Sequence, residues 1–376
     1  MTNRIINKNK NENKKENIKE NKFKNVLSKN RFLRIFIILV CTFIAIVLFL
    51  LYGPFSFFRD WYITSAMTTM NHKYLAYIFY SDEMIEEVLS KNLIYESDDI
   101  TDLNLINFEE KTHYENEYEK QILERDENNN DYKIIEIKGN GYKGYLVAIY
   151  EPSRVKTVVT KNLGKKGQYL TELAKENNAL IAINGGGFSD PNFEGTGGTP
   201  LGITVANGRY ITSESYYGSG GLIGFTEDNK LVLGKLTKNQ AKTYDIRDGV
   251  TFGPFLINNG EPSIVKGNGG WGTAPRTAIG QREDGIVLFL VLDGRTLTNP
   301  GANMLDIIEI MERYGAVTAA NLDGGTSTAL VVDGTIVNTP INSSGKNETR
   351  PISTAFILVE DDEDCGDKSV VLDKLK

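Results

Sequence analysis

The segment Asn321-Leu322-Asp323-Gly324-Gly325-Thr326-Ser327-Thr328 places a carboxylate, two glycines and three hydroxyls between apolar residues 316–320 and 329–332. Glycines allow the backbone to adopt positive φ or to approach a ligand closely. Hydroxyls and exposed amides are suited to binding an anion. A tight Asp-Gly turn between two hairpin strands explains the same residues without any ligand. The segment therefore indicates either a functional corner or a simple turn, and does not distinguish them by itself.

Three further glycine-marked polar stretches follow apolar runs in the same half of the chain, at residues 184–188, 275–280 and 293–295. Strand ends and the loops after them are where functional residues accumulate on a rigid scaffold. Each stretch also has a structural explanation: a bulge or bend at the triple glycine, a surface cation at Arg276, and a local Asp-Gly turn at 293–295. If the four stretches meet, they form one site.

Such a site would contain both cations and carboxylates. Its residues would be Asp293 and Asp323, Arg276, Arg295 and Arg350, and Asn184, Asn321, Thr326 and Ser327. An arginine fork suits bidentate recognition of a phosphate. Carboxylates suit stabilisation of an oxocarbenium-like centre or activation of water on a sugar.

Histidine chemistry is not expected at this site. The two histidines, His72 and His113, both precede the glycine-rich region. Acid–base work would therefore fall to aspartate or glutamate. A sugar attached through phosphate needs little protonation of its leaving group, because phosphate departs already carrying negative charge. Arginine can then stabilise the departing group by electrostatics.

Six motifs occur in a fixed order along the chain. They are Asn184-Gly-Gly-Gly-Phe188, Gly253-Pro254-Phe255, Pro275-Arg276-Thr-Ala-Ile-Gly280, Asp293-Gly-Arg295, Asn321-Leu-Asp-Gly-Gly325-Thr-Ser-Thr328 and Arg350-Pro351. This series resembles the phosphodiester glycosidase family over roughly residues 134–359. The family pattern often reads Asn-Gly-Gly-Phe-Phe at the first motif, so one aromatic residue is missing or shifted here.

The resemblance implies a hydrolase of sugar phosphodiesters and a set of site positions. It implies positions at Asn184, Arg276, Asp293, Asp323, Gly324, Gly325 and Arg350. We predict Asp323 as the carboxylate nearest the anomeric carbon and Asp293 as a second acid/base residue, which alternatively holds a cation or orients Arg295. Arg276, with Arg350, is predicted to grip the phosphate. The predicted substrate-binding residues are Asn184, Gly185, Gly186, Gly324, Gly325, Thr326, Arg295 and Arg350.

Five regions are predicted along the chain. They are a disordered cytoplasmic segment (1–31), a transmembrane helix (32–52), juxtamembrane helices and a linker (53–131), the glycosidase-like domain (132–361) and a polar tail (362–376). Residues 35–51 contain Thr42 as their only polar residue, and with their flanks they are long enough to span a bilayer. A cleaved signal peptide is the alternative, but the polar leader is long and no small-residue cleavage pattern follows Leu51.

Charge predicts the orientation and excludes one class of partner. Residues 1–52 carry 11 Lys/Arg against 3 Asp/Glu, whereas the remainder carries 31 against 46. The basic excess before the span predicts a cytoplasmic N-terminus and an extracytoplasmic remainder. That acidic remainder argues against nucleic acid as a partner. The two cysteines, Cys41 and Cys365, are not expected to pair, and a bacterial envelope protein is favoured.

Hydrophobic patterning predicts an α+β fold with mixed β-sheets and a few packed helices, preceded by the transmembrane helix. Asn303 is expected to cap a helix over 303–314, and Ser81 another that runs to Lys91. Asn207-Gly208 predicts a hairpin. A single strand is predicted over 250–257, an interfacial or packed helix over 61–80, and a stalk or linker over 95–131.

These observations favour a membrane-anchored, extracytoplasmic hydrolase that cleaves glycosyl-1-phosphodiesters in envelope or exopolysaccharide glycopolymers. The alternative is a non-catalytic envelope protein that binds anionic glycopolymers or a polysaccharide-synthesis partner in the same cleft. No specific cofactor is predicted from the sequence. The oxygen-rich loops are compatible with Ca²⁺ or Mg²⁺, although no EF-hand-like spacing supports such a site.

Overall fold

The computed structural model describes residues 31–67, 73–111, 113–126, 129–190, 195–216, 218–342 and 344–360. Residues 1–30 of the predicted disordered segment, and the whole of the predicted tail, lie outside these ranges. The chain divides into two units, Met1–Tyr62 and Ile63–Lys376.

The first unit contains helix α1 (Arg31–Tyr52), which is long and apolar enough to cross a membrane. Its side chains are almost all exposed, as expected for a surface that faces lipid instead of a protein core. By length and composition alone, the same helix also fits a signal sequence.

Seven further helices are present in the described residues. They are α2 (Ser56–Met67), α3 (Tyr74–Phe79), α4 (Asp82–Lys91), α5 (Glu117–Leu123), α6 (Leu170–Glu176), α7 (Lys238–Thr243) and α8 (Met304–Arg313). The two predicted caps are confirmed, because Ser81 Oγ accepts from Met84 N and Asn303 Oδ1 accepts from Asp306 N. The helix predicted over 61–80 is instead two helices, α2 and α3, with 68–72 outside the described residues.

The strands are β1 (Leu93–Tyr95), β2 (Tyr132–Gly139), β3 (Tyr142–Ile149), β4 (Val155–Val159), β5 (Ala179–Asn184), β6 (Phe188–Ser189), β7 (Thr199–Pro200), β8 (Ile203–Ala206), β9 (Arg209–Ser213), β10 (Gly221–Thr226), β11 (Leu231–Gly234), β12 (Ile246–Phe252), β13 (Phe255–Asn258), β14 (Glu261–Pro262), β15 (Ile264–Lys266), β16 (Arg276–Arg282), β17 (Val287–Leu292), β18 (Ala316–Asn321), β19 (Leu330–Val332), β20 (Thr335–Ile336) and β21 (Thr354–Val359). The predicted hairpin at Asn207-Gly208 joins β8 to β9.

Three larger sheets organise these strands. Their orders are β14-β13-β18-β16-β17-β3-β2, β11-β10-β12-β8-β9 and β20-β19-β5-β21-β4. The pairs β1-β15 and β6-β7 are separate two-stranded sheets. Pairing between the described strands is antiparallel. With the helices, this confirms the predicted α+β class.

The central strand β17 shows how the core is built. Leu288, Leu290 and Leu292 belong to the cluster that α8 covers, whereas Val287, Phe289 and Val291 belong to the cluster shared with β5, β10 and β21. Because successive side chains of a strand point to opposite faces, an uninterrupted apolar run is buried on both sides. The seven-stranded sheet therefore lies between α8 and the other large sheets.

The single strand predicted over 250–257 is wrong. It is divided at Gly253-Pro254, a cis peptide bond, into β12 and β13, which belong to different sheets. Proline has no N–H to donate to a ladder. The next amide, Phe255 N, donates to the Glu96 side chain at 2.7 Å.

Residues 95–131, interpreted from their charge as a stalk or linker, contact the β-rich part of the chain. The preceding strand β1 pairs with β15. The other carboxylate oxygen of Glu96 accepts from Ser219 Oγ and Gly220 N at 2.8 and 2.7 Å. Ile106 and Ile122 are fully buried. Residue-by-residue charge does not reveal such contacts, because they join positions more than a hundred residues apart.

Candidate functional site

One edge of the seven-stranded sheet collects the predicted site residues. Arg276 begins β16 opposite Leu292, the last residue of β17, and Ala278 lies opposite Asn321, the last residue of β18. Antiparallel neighbours therefore bring the residues after β17 and β18 to the start of β16. Backbone bonds fix this corner: Leu322 N donates to Thr277 O at 2.8 Å and Gly325 N to Pro275 O at 2.9 Å.

Asp323 lies at the centre of this edge and is partly exposed. Its Oδ2 accepts hydrogen bonds from Ser327 Oγ at 2.5 Å and from Arg350 Nη2 at 2.8 Å. Arg350 Nε also donates to Ser327 Oγ at 2.6 Å, which closes a three-residue network. Asp323 Oδ1 makes no hydrogen bond within the part of the chain that the structure describes. One carboxylate oxygen is thus fixed and the other is free to meet a substrate.

Arg350 is held in place by an aromatic ring as well as by Asp323. Its Cζ lies 4.6 Å from the centroid of Phe188, which is buried. The face of an aromatic ring attracts a guanidinium electrostatically. Phe188, the last residue of the 184–188 motif, therefore supports a cation of the site.

Arg295 approaches the same corner from the loop after β17. It has a positive φ of 65°, and its Nη1 donates to Thr326 Oγ1 at 2.8 Å and to Ile341 O at 3.0 Å. A Cβ at Gly325 would lie 2.8 Å from Arg295 Nη2, so glycine leaves room for the guanidinium. Although the residue as a whole is exposed, desolvation of this head group and the nearby Arg350 lower its pKa, while Asp323 opposes the shift.

Arg276 is buried beneath the corner. Its Nε donates to Ala302 O at 3.1 Å, and its Nη2 donates to Trp271 O at 2.7 Å and Gly272 O at 2.8 Å. Burial, and then the charge of Arg295, lower its pKa to about 10. Its Nη1 has no hydrogen bond within the described residues and lies 3.8 Å from the position of a Cβ at Gly324. The predicted phosphate contact would therefore be made by this nitrogen.

The corner formed by Asn184, Gly185 and Gly186 lies under Asp323 and is buried. Asn184 Oδ1 accepts from Thr277 Oγ1 at 2.8 Å and from Ala329 N at 3.2 Å, and its Nδ2 donates to Asp323 O. The Gly185 and Gly186 amides donate to Thr354 O and Thr354 Oγ1. These predicted substrate-binding groups are already engaged within the protein. Their geometry supports a positioning role in place of direct contact with substrate.

Asp293 is also buried. Its Oδ1 accepts hydrogen bonds from Asn338 Nδ2 and Thr339 N, both at 2.9 Å. Asn338 Oδ1 in turn accepts from Leu330 N at 2.9 Å. Asp293 therefore anchors the segment that follows the Asp323 corner. None of these bonds involves Arg295, so the acid/base, cation-holding and Arg295-orienting roles of Asp293 all stay predictions.

Sequence reasoning assigned no role to several residues that shape the site. Ser327 was included only as a hydroxyl, whereas it bridges Asp323 and Arg350. Trp271 lies in a loop without a recognised motif, so nothing in the sequence indicated that its backbone carbonyl accepts a hydrogen bond from Arg276. For metals, the described ranges contain no cluster of three or more His, Cys, Asp or Glu side chains that could hold an ion.

Part of the chain is similar to known proteins. Residues 177–359 match the family model described as phosphodiester glycosidase. An uncharacterized SPbeta prophage-derived protein, YomE, of Bacillus subtilis is 27% identical over 204 residues, which is 51% of this chain and 30% of that protein. N-acetylglucosamine-1-phosphodiester alpha-N-acetylglucosaminidase of Bos taurus is 27% identical over 233 residues, or 55% of this chain and 42% of that enzyme.

A solved structure shares the fold. The catalytic domain of the zebrafish N-acetylglucosamine-1-phosphodiester alpha-N-acetylglucosaminidase superposes with a TM-score of 0.51 at 22% identity, covering 61% of this chain and 83% of that domain. The matches to the curated relatives above span less than half of their length.

Proposed function

We propose, from the match of residues 177–359 to the phosphodiester glycosidase family model, that this chain hydrolyses the link between a sugar and phosphate in a glycosyl-1-phosphodiester. The observation that carries the proposal is the cluster of three arginines around the half-engaged carboxylate of Asp323. Arg350 is bonded to Asp323, and Arg295 and Arg276 approach the two glycines that follow it.

The charge balance of this cluster supports an anionic substrate. Arg295 and Arg350 repel each other, as do Arg276 and Arg295, and these repulsions contribute to lowering the pKa values of Arg276 and Arg295. A phosphodiester carries a permanent negative charge. Bound among the guanidinium groups, it would offset their repulsion and accept charge-assisted hydrogen bonds. Asp323 supplies one negative charge against the three positive charges of Arg276, Arg295 and Arg350.

The fixed carboxylate supplies the rest of the chemistry. Ser327 and Arg350 hold Asp323 Oδ2, so Oδ1 can face the anomeric carbon and stabilise positive charge or deprotonate water. In the proposed step the anomeric C–O bond breaks and its electron pair leaves with the phosphate. Water then adds its hydroxyl to the sugar, and its proton ends on the phosphomonoester. The arginines stabilise the departing phosphate, which needs no strong general acid.

The proposed setting is the outer face of a bacterial cell membrane. Support comes from α1, which is long enough to anchor the chain, and from the basic excess of residues 1–52. The proposed substrate class is therefore a sugar-phosphate glycopolymer of the envelope or an exopolysaccharide. A nucleic acid substrate is disfavoured by the acidic remainder of the chain.

The test uses the full-length protein in detergent with an N-acetylglucosamine-1-phosphodiester. We expect equimolar free sugar and phosphomonoester. Asp323→Asn should lower turnover about 1,000-fold, the scale of a lost acid/base or electrostatic group, without changing the melting temperature by more than a few degrees. Asp333→Asn, in the turn between β19 and β20, is the matched control and should retain activity.

Four outcomes bear on the mechanism and on the alternative function. In ¹⁸O-water, label in the sugar indicates C–O cleavage, and label in the phosphate indicates P–O cleavage. Full turnover by Asp323→Asn would refute the role of this carboxylate. Saturable binding of several glycosyl phosphodiesters without turnover would support the non-catalytic binder instead.

A further inference from the structure

A closed circuit of contacts leads from Asp323 through two aromatic side chains and back. Asp323 N donates to Gly185 O at 3.1 Å. Two residues later, a Cβ at Gly187 would lie 2.8 Å from the Phe252 ring. The Phe252 and Trp271 rings meet edge to face, with centroids 6.2 Å apart. Arg276 binds the Trp271 carbonyl, and its Nη1 faces Gly324, the neighbour of Asp323.

The members of this circuit differ in exposure. Gly185, Gly187 and Arg276 are buried, whereas Asp323, Gly324, Phe252 and Trp271 are partly exposed. The partly exposed members of the circuit are therefore one aspartate, one glycine and two aromatic residues. Each ring is also backed by a hydrophobic core, Phe252 by the cluster under β5 and Trp271 by the cluster under α8. Rings supported in this way are preorganised for contact with a ligand.

We propose that Phe252 and Trp271 form the subsite for the sugar ring, next to the arginines that hold the phosphate. A pyranose has an apolar face of C–H groups as well as its hydroxyls, and aromatic walls with a few polar groups suit such a ligand. The inference rests on the proposed function for its substrate, and it assigns the sugar side of that substrate to these two residues.

Gly187 connects this subsite to the unusual first motif. Here the Phe252 ring occupies the space that a side chain at 187 would enter. The position of Phe252, at the end of β12, therefore depends on glycine at 187. The sugar specificity of this chain should depend on Phe252 and Trp271 accordingly.

Tryptophan fluorescence gives a direct test, because the sequence contains only Trp61 and Trp271. In full-length Trp61→Phe protein, Trp271 is the sole tryptophan reporter. We expect a saturable change of its emission with N-acetylglucosamine 1-phosphate and none with methyl phosphate or inorganic phosphate. Equal responses to all three would overturn the subsite, since the ring would then report only the phosphate.

Kinetics provides the second arm. Trp271→Leu and Phe252→Leu should each raise KM for the glycosyl phosphodiester at least tenfold while kcat changes less than threefold. Trp271→Phe should recover most of the affinity, and Trp61→Phe is the control that should leave KM unchanged. Wild-type KM in both leucine variants would overturn the subsite. Melting curves identify a leucine variant that is unfolded. The fluorescence experiment does not have this problem, because Trp61→Phe leaves Phe252 and Trp271 unchanged.

The two proposals fail in different ways. A sugar-dependent Trp271 signal without turnover of any phosphodiester would leave the subsite standing and remove the hydrolase. Turnover with no sugar-dependent signal and no KM effect would leave the hydrolase and remove the subsite.

Discussion

The corners at residues 184–187 and 323–327 look alike in sequence but differ in structure. Each begins with a strand end, a side chain bearing a carbonyl oxygen, and a run of glycines. The first corner is buried and its Gly185 and Gly186 amides donate within the protein, whereas residues 323–326 of the second are partly exposed and Asp323 Oδ1 accepts no hydrogen bond from the described residues. The two corners are bonded to each other, since Asp323 N donates to Gly185 O. Glycine therefore makes room for neighbouring strands and the Phe252 ring in the first corner, and for Pro275 O and the Arg295 guanidinium in the second.

The largest expected effect comes from adding a methyl group to each corner. At Gly186 a Cβ would lie 2.7 Å from Thr251 O and 2.9 Å from Val250 Cβ, so Gly186→Ala should cost about 2–4 kcal/mol of unfolding free energy. At Gly324 the nearest atom is Pro275 O at 3.0 Å, and Arg276 Nη1 follows at 3.8 Å. Gly324→Ala should therefore lose activity more than stability. Chemical unfolding and turnover assays on both variants check this, and equal loss of stability would erase the distinction between the corners.

The next effect concerns Arg350, which donates hydrogen bonds to Asp323 and Ser327 of the partly exposed corner. Arg350→Lys removes the paired contacts with Ser327 and Asp323, because an ammonium cannot reproduce the guanidinium fork. We expect turnover to fall about 10- to 100-fold at nearly unchanged melting temperature. Arg209→Lys, on exposed β9, is the control. A large drop in melting temperature would instead show that Arg350 is structural, like Asn184.

A smaller effect is expected from alanine at Gly325. Comparison with Gly334→Ala distinguishes the cost of the backbone conformation from the cost of crowding a side chain. Gly325 and Gly334 both have positive φ, 63° and 77°, but only a Cβ at Gly325 meets an atom within 4 Å, Arg295 Nη2. Both alanine variants should lose about 1–2 kcal/mol of stability from the left-handed conformation. Only Gly325→Ala should also weaken binding of a sugar phosphate, by several-fold, which calorimetry can measure. Identical binding by both variants would mean that Arg295 does not contact the ligand.

The smallest expected effect is a pH dependence of ligand affinity. Arg276 has its pKa lowered to about 10, and a bound anion would raise it again. Binding is then coupled to protonation, so affinity for a glycosyl phosphodiester should fall as pH rises through about 10. The phosphodiester itself does not titrate there. Arg276→Gln should bind more weakly at neutral pH and lose this pH dependence; an unchanged profile would assign it to other groups.

The strands, helix caps and motifs that form the two corners could be predicted from the sequence, but the burial of each corner could not. The apolar run of β17 and the caps Ser81 and Asn303 are local signals, and the structure confirms them. Convergence of Arg276 and Asp323 followed from placing both at strand ends. Whether Asn184 faces a ligand or closes hydrogen bonds between strands depends on neighbours 93 and 139 residues away, Thr277 and Asp323. No local pattern carries that information.

Strand β1 pairs with β15, and Glu96 accepts hydrogen bonds from Gly220 N and Phe255 N. These contacts determine what proteolysis of the following segment would release. A protease that cleaves the chain between Glu96 and Tyr132 would leave two fragments still joined by a strand pair and by partly buried hydrogen bonds. Trimming to residue 132 would remove the partner of β15 just ahead of the loop whose carbonyls grip Arg276. A single cleavage in this segment would therefore not release an intact β-rich domain.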